Sequence, residues 1–364
     1  MAKKRMMDDT KCVHQMERVI AHFDKGEKIA PVHIDMGISK FCSVSCVFCF
    51  GMYQDMKKVY IQRDALLQTM RDAGDIGVKS IGIIGDGEPG CNPFCYEALR
   101  EGKRAGVDMA ISTNGVDLDS QEKLEAVLES CTWMRFCFAA GTREGYHKIH
   151  RRDYFDKVVS HIKAIVALKE KRGYKCDIGM QSVFVPTIMK DEIVAEGKLA
   201  AELGVDYLIV KQMSVPDKGQ SGMIHFDLDI YDSPEIKDAL ANCEAYANDK
   251  TDIVVKYNAM DRKGRRDYDH CPAVPLISEM SGDGSWYPCG IMFGDKPQYD
   301  RYKFGNVHET SLKEIWESDR YDEILKMMRY EFDNQTQCSA CCRLDPANKF
   351  IHDYLDKPLG INFI

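Results

Sequence analysis

The sequence predicts an α/β protein in which six strand–helix units build a parallel sheet, followed by a smaller α+β region with cysteines of its own. Three observations carry this expectation. From residue 31 to 211, short β-branched runs alternate with longer segments of helical periodicity, which is how a parallel sheet with crossover helices reads in a sequence. After Lys211 the loop SVPDKGQSG interrupts the alternation with turn-forming residues. Of the 15 cysteines, two groups stand close together, one just after the first strand and one near the C-terminus. The expected division is a helical extension at 1–30, the strand–helix domain at 31–215 and the cysteine-bearing domain at 216–364.

Each element has a local reason. Val13, Met16, Val19, Ile20 and Phe23 recur at helical spacing before the first strand. Strand-like runs lie at 32–36, 80–84, 108–113, 134–139, 177–185 and 206–211. Asn92-Pro93 places a capping residue and a first-turn proline before a helix that Gly106 terminates. Between 154 and 171, Phe155, Val158, Val159, Ile162, Ile165, Val166 and Leu168 form one apolar stripe, and Gly173 stops the helix. The remainder predicts a helix near 233–247, a strand near 252–258 and a helix opened by the capping box Ser311-x-x-Glu314.

Composition narrows the function. With 364 residues, 45% hydrophobic and 29% charged, the chain can bury a large core. A net charge of -8 without any basic run argues against nucleic acid as a partner. The segment MAKKRMMDDTK lacks the apolar core of a signal peptide, and no apolar run reaches the roughly 18 residues of a membrane span. The expectation is a cytoplasmic protein with no membrane partner, whose thiols stay reduced. Clustered cysteines there point to metal ligation and not to disulfides.

The first cluster is FCSVSCVFCFG, with Cys42, Cys46 and Cys49 spaced C-x3-C-x2-C on one loop. Cubane iron-sulfur clusters are held by cysteine thiolates, usually four; three on one loop leave one iron open to another ligand. Zinc is the competing metal, but structural zinc takes two C-x2-C-like pairs or cysteine with histidine, and this loop has neither.

This loop resembles the signature of the radical S-adenosylmethionine (SAM) superfamily, with Phe48 at the aromatic position before the third cysteine. The resemblance runs from residue 31 to about 211 and implies a partial (βα)6 radical SAM barrel. It implies that the open iron of a [4Fe-4S] cluster binds the amino and carboxylate groups of SAM, and that an electron from the cluster cleaves it to a 5′-deoxyadenosyl radical. A reducing partner such as flavodoxin or ferredoxin is implied as well. Phe48 is then expected beside the adenine. Gly85, Asp86, Gly87 and Glu88 resemble the family's Gly-Gly-Glu motif, departing from it at Asp86, and Glu88 supplies an acceptor for the SAM ammonium. Ser112 and Asn114, in ISTNG, are similar to the family's Ser/Thr-Thr-Asn-Gly segment. Arg151, with Arg152 as its rival, stands where related enzymes carry a cofactor-contacting arginine. Gln181 and Lys211 sit on later strands, as cofactor contacts or as polar groups of the barrel interior.

Cys271, Cys289, Cys338 and Cys341 bring four thiolates from separate segments, enough to enclose a second cluster or a structural zinc. With the Gly-Asn and Ser-Leu-x-Glu-Ile-Trp features of FGNVHETSLKEIW, this region resembles the SPASM/twitch extension of radical enzymes. No cysteine follows Cys342, so the expectation is the shorter twitch form with one auxiliary [4Fe-4S] cluster. Cys342 is an alternative to Cys341 as ligand, or a free hydrogen donor. Cys91 and Cys95 are expected to pack a helix.

The resemblance implies an oxidoreductase acting on a small-molecule substrate: a sugar, nucleotide sugar or cyclitol whose alcohol is dehydrogenated. Epimerisation and peptide modification are the other enzymatic outcomes. An iron-sulfur electron carrier or a zinc protein is the non-enzymatic one.

Overall fold

Strands β1 (His33–Met36), β2 (Ser80–Ile83), β3 (Asp108–Thr113), β4 (Cys131–Cys137), β5 (Asp177–Phe184) and β6 (Tyr207–Gln212) lie side by side in chain order in a computed structural model. The structure describes residues 9–53, 55–214, 227–294, 296–338 and 342–357. All five pairings are parallel; Ile34 stands opposite Ile81, Ile81 opposite Met109 and Met180 opposite Leu208. The runs are largely apolar because helices cover the sheet. Only β4 departs clearly from its expected span. It starts at Cys131, which is also the C-cap of the helix Gln121–Ser130, so the strand begins as soon as that helix ends.

The parallel sheet does not stop at Lys211. The helix Pro234–Glu244 leads to β7 (Asp252–Val255), which pairs parallel with β6. At the other edge β8 (Ile277–Met280) pairs parallel with β1, and β9 (Ser285–Tyr287) and β10 (Gly305–Asn306) extend the sheet antiparallel. The expected end of the alternation is thus corrected: among the described residues the sheet has ten strands, eight of them parallel, and crosses the division expected at 215. Residues 215–222 of the expected boundary loop lie outside the described residues. A strand near 252–258 was expected, but four residues such as DIVV carry too little pattern to name the neighbour they pair with.

The helix expected to open at Asn92-Pro93 begins at Cys95 with Phe94 as its N-cap, and Asn92 closes the turn before it. Phe155–Arg172 buries Val158, Ile162, Ile165 and Val166 and ends at Gly173, whose φ of 70° suits a residue without Cβ. Burying each such side chain fully stabilises by about 1.5–3 kcal/mol. The Asn92 Oδ1 accepts from Phe94 N at 2.9 Å, and its amide donates to the Ile38 and Ile61 carbonyls, tying this turn to the chain around β1. The N-terminal helix Met16–Phe23 buries Val19 against Ala273, Leu276, Ala347 and Ile351. Val13 and Ile20, expected on that face, are 56% and 38% exposed, and Val13 lies in the preceding 3-10 helix Asp9–Gln15. Among the described residues, no helix is long and apolar enough to cross a membrane.

Candidate active site

The chain leaves β1 at Met36 and enters the cysteine loop, which the end of the helix Arg143–His150 holds from the side. Ser45 N donates to His150 O at 3.1 Å and Val47 N to Ile149 O at 2.9 Å. His150 is fully buried. Its Nε2 contacts the Phe138 carbonyl, an acceptor only, so Nε2 carries the proton and Nδ1 faces Cys46 Sγ at 3.0 Å. Burial lowers its pKa to about 4, so the ring is neutral near pH 7. Phe48 stands edge-on to this ring, centroids 5.9 Å apart. On the other side the Asn114 amide donates to Ser43 Oγ at 2.9 Å and to Cys42 Sγ at 3.5 Å.

Glu88 staples β2 to β3. Its carboxylate accepts from Thr113 Oγ1 at 2.5 Å, Asn114 N at 2.8 Å and Gly90 N at 3.2 Å. Burial nevertheless pushes its pKa up to about 7. A Cβ on Gly87 would run into the Ser39 carbonyl oxygen, and one on Gly85 would lie 2.9 Å from Gly37 Cα. Both glycines therefore let this turn pack against the entry to the cysteine loop. Asp86 turns elsewhere: it accepts from Ser281 Oγ at 2.7 Å and Gly282 N at 2.9 Å, in the turn after β8. That contact gives a physical role to the departure from Gly-Gly-Glu.

The C-terminal thiols converge from three segments. Burial raises the pKa of Cys271 and Cys289, and the neighbouring Cys338 raises both further. Cys342 is hydrogen-bonded with Cys338, which together with burial holds its thiol well above the usual range. Cys341 lies outside the described residues, and Cys342 completes the described set of four. Cys42, Cys46, Cys49, Cys289, Cys338 and Cys342 all line one cavity of about 360 Å³. Donors of this kind suit iron-sulfur clusters, where each thiolate meets a different iron.

Phe48, Gly85, Asp86, Gly87, Glu88, Ser112, Asn114, Gln181 and Lys211 also line this cavity. Gln181 is buried, and its Oε1 finds no hydrogen-bond partner among the described residues. Arg151 is not brought to the site; it is an exposed, left-handed C-cap with a φ of 55°, and Arg152 is exposed beside it. Cys95 is buried in its helix and Cys91 is half-buried before it. The sequence reading missed His150, Cys137, Glu279 and Arg343. Cys137 had a signal, since Trp133, Arg135 and Cys137 alternate along β4 and share a face. Arg343 had none, because it reaches its place by pairing with Asp35 on β1, far away in sequence.

Residues 36–195 match the radical SAM superfamily, and residues 279–342 match the SPASM iron-sulfur cluster-binding domain. The chain carries a radical SAM domain and a C-terminal SPASM iron-sulfur domain, which imply SAM, a [4Fe-4S] cluster and auxiliary iron-sulfur as cofactors. It is 25% identical over 321 residues to the tungsten-containing aldehyde ferredoxin oxidoreductase cofactor-modifying protein of Pyrococcus furiosus, covering 84% of this chain and 87% of that one. An S-adenosylmethionine-dependent nucleotide dehydratase of Flammeovirga pacifica is 28% identical over 98 residues, 26% of this chain and 33% of its own. The SAM-bound crystal structure of SuiB from Streptococcus suis shares the fold, with a TM-score of 0.63 at 18% identity over 88% of this chain and 74% of that one.

Proposed function

We propose that the protein is a radical SAM oxidoreductase that dehydrogenates an alcohol of a small polar molecule, in the class of a sugar, nucleotide sugar or cyclitol. The observation that carries this reading is the shared cavity, lined by thiols of both cysteine sets. A carbinol becomes a carbonyl by losing a hydrogen atom, a proton and an electron. The bound SAM and its cluster supply the hydrogen abstraction. Cys42, Cys46 and Cys49 hold that cluster, while Phe48, Glu88, Ser112, Asn114 and Gln181 line the space for SAM. Gly85, Asp86 and Gly87 shape the turn beneath it. Cys271, Cys289, Cys338 and Cys342 hold one auxiliary cluster that takes the electron. The name of the Pyrococcus furiosus relative, which modifies a cofactor, supports a small-molecule substrate over a peptide.

The test is a screen of sugars, cyclitols and their nucleotide conjugates for 5′-deoxyadenosine formation above background, with the reconstituted wild type beside a Cys271→Ala/Cys289→Ala variant. The variant is expected to cleave SAM with dithionite yet accumulate no carbonyl product. Its far-UV spectrum must match wild type, because cluster ligation can contribute to folding. Stimulation by short peptides and by no polyol would sink the substrate class. Deuterium in recovered substrate after turnover in heavy water would replace dehydrogenation by epimerisation.

A further inference from the structure

A second chamber of about 630 Å³ opens from the cysteine-lined cavity, sharing Gln181, Lys211, Cys342 and Arg343 with it. The volume is that of a small-molecule site. Strand alternation puts Trp133 and Arg135 on its wall and Cys137 on the wall of the cavity beyond. Gly179 leaves room for the Tyr207 ring, into which a Cβ there would run. The segment after β7 adds to the lining through Lys256, Ala259, Arg262 and Gly264.

The charge of this chamber is opposite to that of the chain. Lys11, Arg135, Lys211, Lys256 and Arg343 line it. So do Arg262, Arg265 and Arg266, and among the described lining residues only Asp177 and Asp345 are acidic. Asp345 is engaged by Tyr268 Oη at 2.7 Å and Arg262 Nε at 3.3 Å, and Asp35 pairs with Arg343 from behind. The Arg343 side chain is 43% exposed as it lines the chamber, while the protein packed around it lowers its pKa to about 10. Arg135 differs from the others. Its Nε donates to Ser112 Oγ at 3.3 Å and its guanidinium lies 4.8 Å from the Trp133 ring centroid, but among the described residues no carboxylate pairs with it. Burial lowers its pKa, and the side chain is part-buried at the chamber wall. Holding such a charge without a counter-ion is costly, and an anionic ligand removes the cost.

We infer that the chamber binds a phosphate or diphosphate group of the substrate, with Arg135 and Arg265 among its ligands. Arginine predominates, and its planar fork matches phosphate bidentately. A carboxylate brings one charge, whereas a phosphate monoester brings roughly two near neutral pH, which suits so large a cationic excess. The part of the inference that sends the hydroxyl-bearing carbon into the cysteine-lined cavity rests on the dehydrogenase reading; the phosphate site does not.

Calorimetric titration of the reconstituted holoenzyme with inorganic pyrophosphate, and in parallel with citrate, tests the site without turnover. Pyrophosphate is expected to bind at one site, more weakly as salt rises. Arg135→Gln and Arg265→Gln should each weaken binding by about tenfold. Lys198→Gln, on the helix Glu192–Leu203 outside the chamber, should leave it unchanged. Arg265 is exposed, so its variant keeps the test decisive where Arg135→Gln disturbs folding. No pyrophosphate binding, binding indifferent to Arg265→Gln, or citrate bound as tightly would each overturn the phosphate assignment. Failure to dehydrogenate any alcohol would leave it standing and remove only the proposed reaction.

Discussion

Cys42, Cys46 and Cys49 lie within one loop, held on one side by the Ile149 and His150 carbonyls at a helix end and on the other by the Asn114 amide. Cys271, Cys289, Cys338 and Cys342 instead come from three segments of the C-terminal region, which docks on the sheet. The docking contacts are specific: β8 on β1, the Asp86 carboxylate on Ser281 and Gly282, Arg343 on Asp35, and Lys313 N on Asp72 Oδ2 at 3.2 Å. The proposed catalytic set is thus built by one loop and its neighbours, and the proposed auxiliary set by separate segments of the region that docks on the sheet. Weakening the interface should harm the second and spare the first.

The largest effect expected from breaking this comparison is at the loop. Replacing Cys42, Cys46 and Cys49 by alanine should reduce SAM cleavage to background and remove about half of the iron from the reconstituted protein, leaving one four-iron cluster. Iron falling to nothing would mean that the auxiliary set depends on the catalytic one. Next, Glu88→Gln should weaken SAM binding about tenfold in equilibrium dialysis with the iron content unchanged, since a charge-assisted bond is worth about 1.5–3 kcal/mol. Unchanged SAM affinity would reduce Glu88 to a staple between β2 and β3.

Asp86→Asn sharpens the contrast from the interface side. It should cost about 1–2 kcal/mol in urea denaturation of the apo-protein at about pH 5 and lower auxiliary iron before catalytic iron. Burial raises the Asp86 pKa to about 6 from the ordinary 3.8. The folded chain therefore holds this proton more tightly than the unfolded one, so its contribution to stability is complete below 3.8 and is lost as pH rises through about 6. The variant cannot ionise, and its deficit relative to wild type should shrink between about pH 4 and about pH 7. A deficit that grows would contradict the burial of this carboxyl. The smallest effect belongs to Ser311→Ala, which removes the capping box before the helix Leu312–Glu317 and should cost about 1 kcal/mol, with both clusters retained.

Local chemistry made part of this protein legible in its sequence. Three cysteines on one loop, the capping box at Ser311, the glycine stop at Gly173 and the six successive parallel strands all depend on residues a few positions apart, where spacing alone reports geometry. Tertiary structure decided what depends on distant partners. Arg151 fits a family position yet lies exposed, while Arg135 and Arg343 line the chamber. Asp86, in a motif that reads as a cofactor turn, reaches across to the C-terminal region. The strand β8 is too short to announce itself, and the place of β7 in the sheet is defined by the neighbour it pairs with. The cationic chamber is the clearest case, because its charges come from segments scattered along an acidic chain. Net charge sums over the whole sequence, whereas a field inside a cavity depends on which few side chains the fold gathers around it.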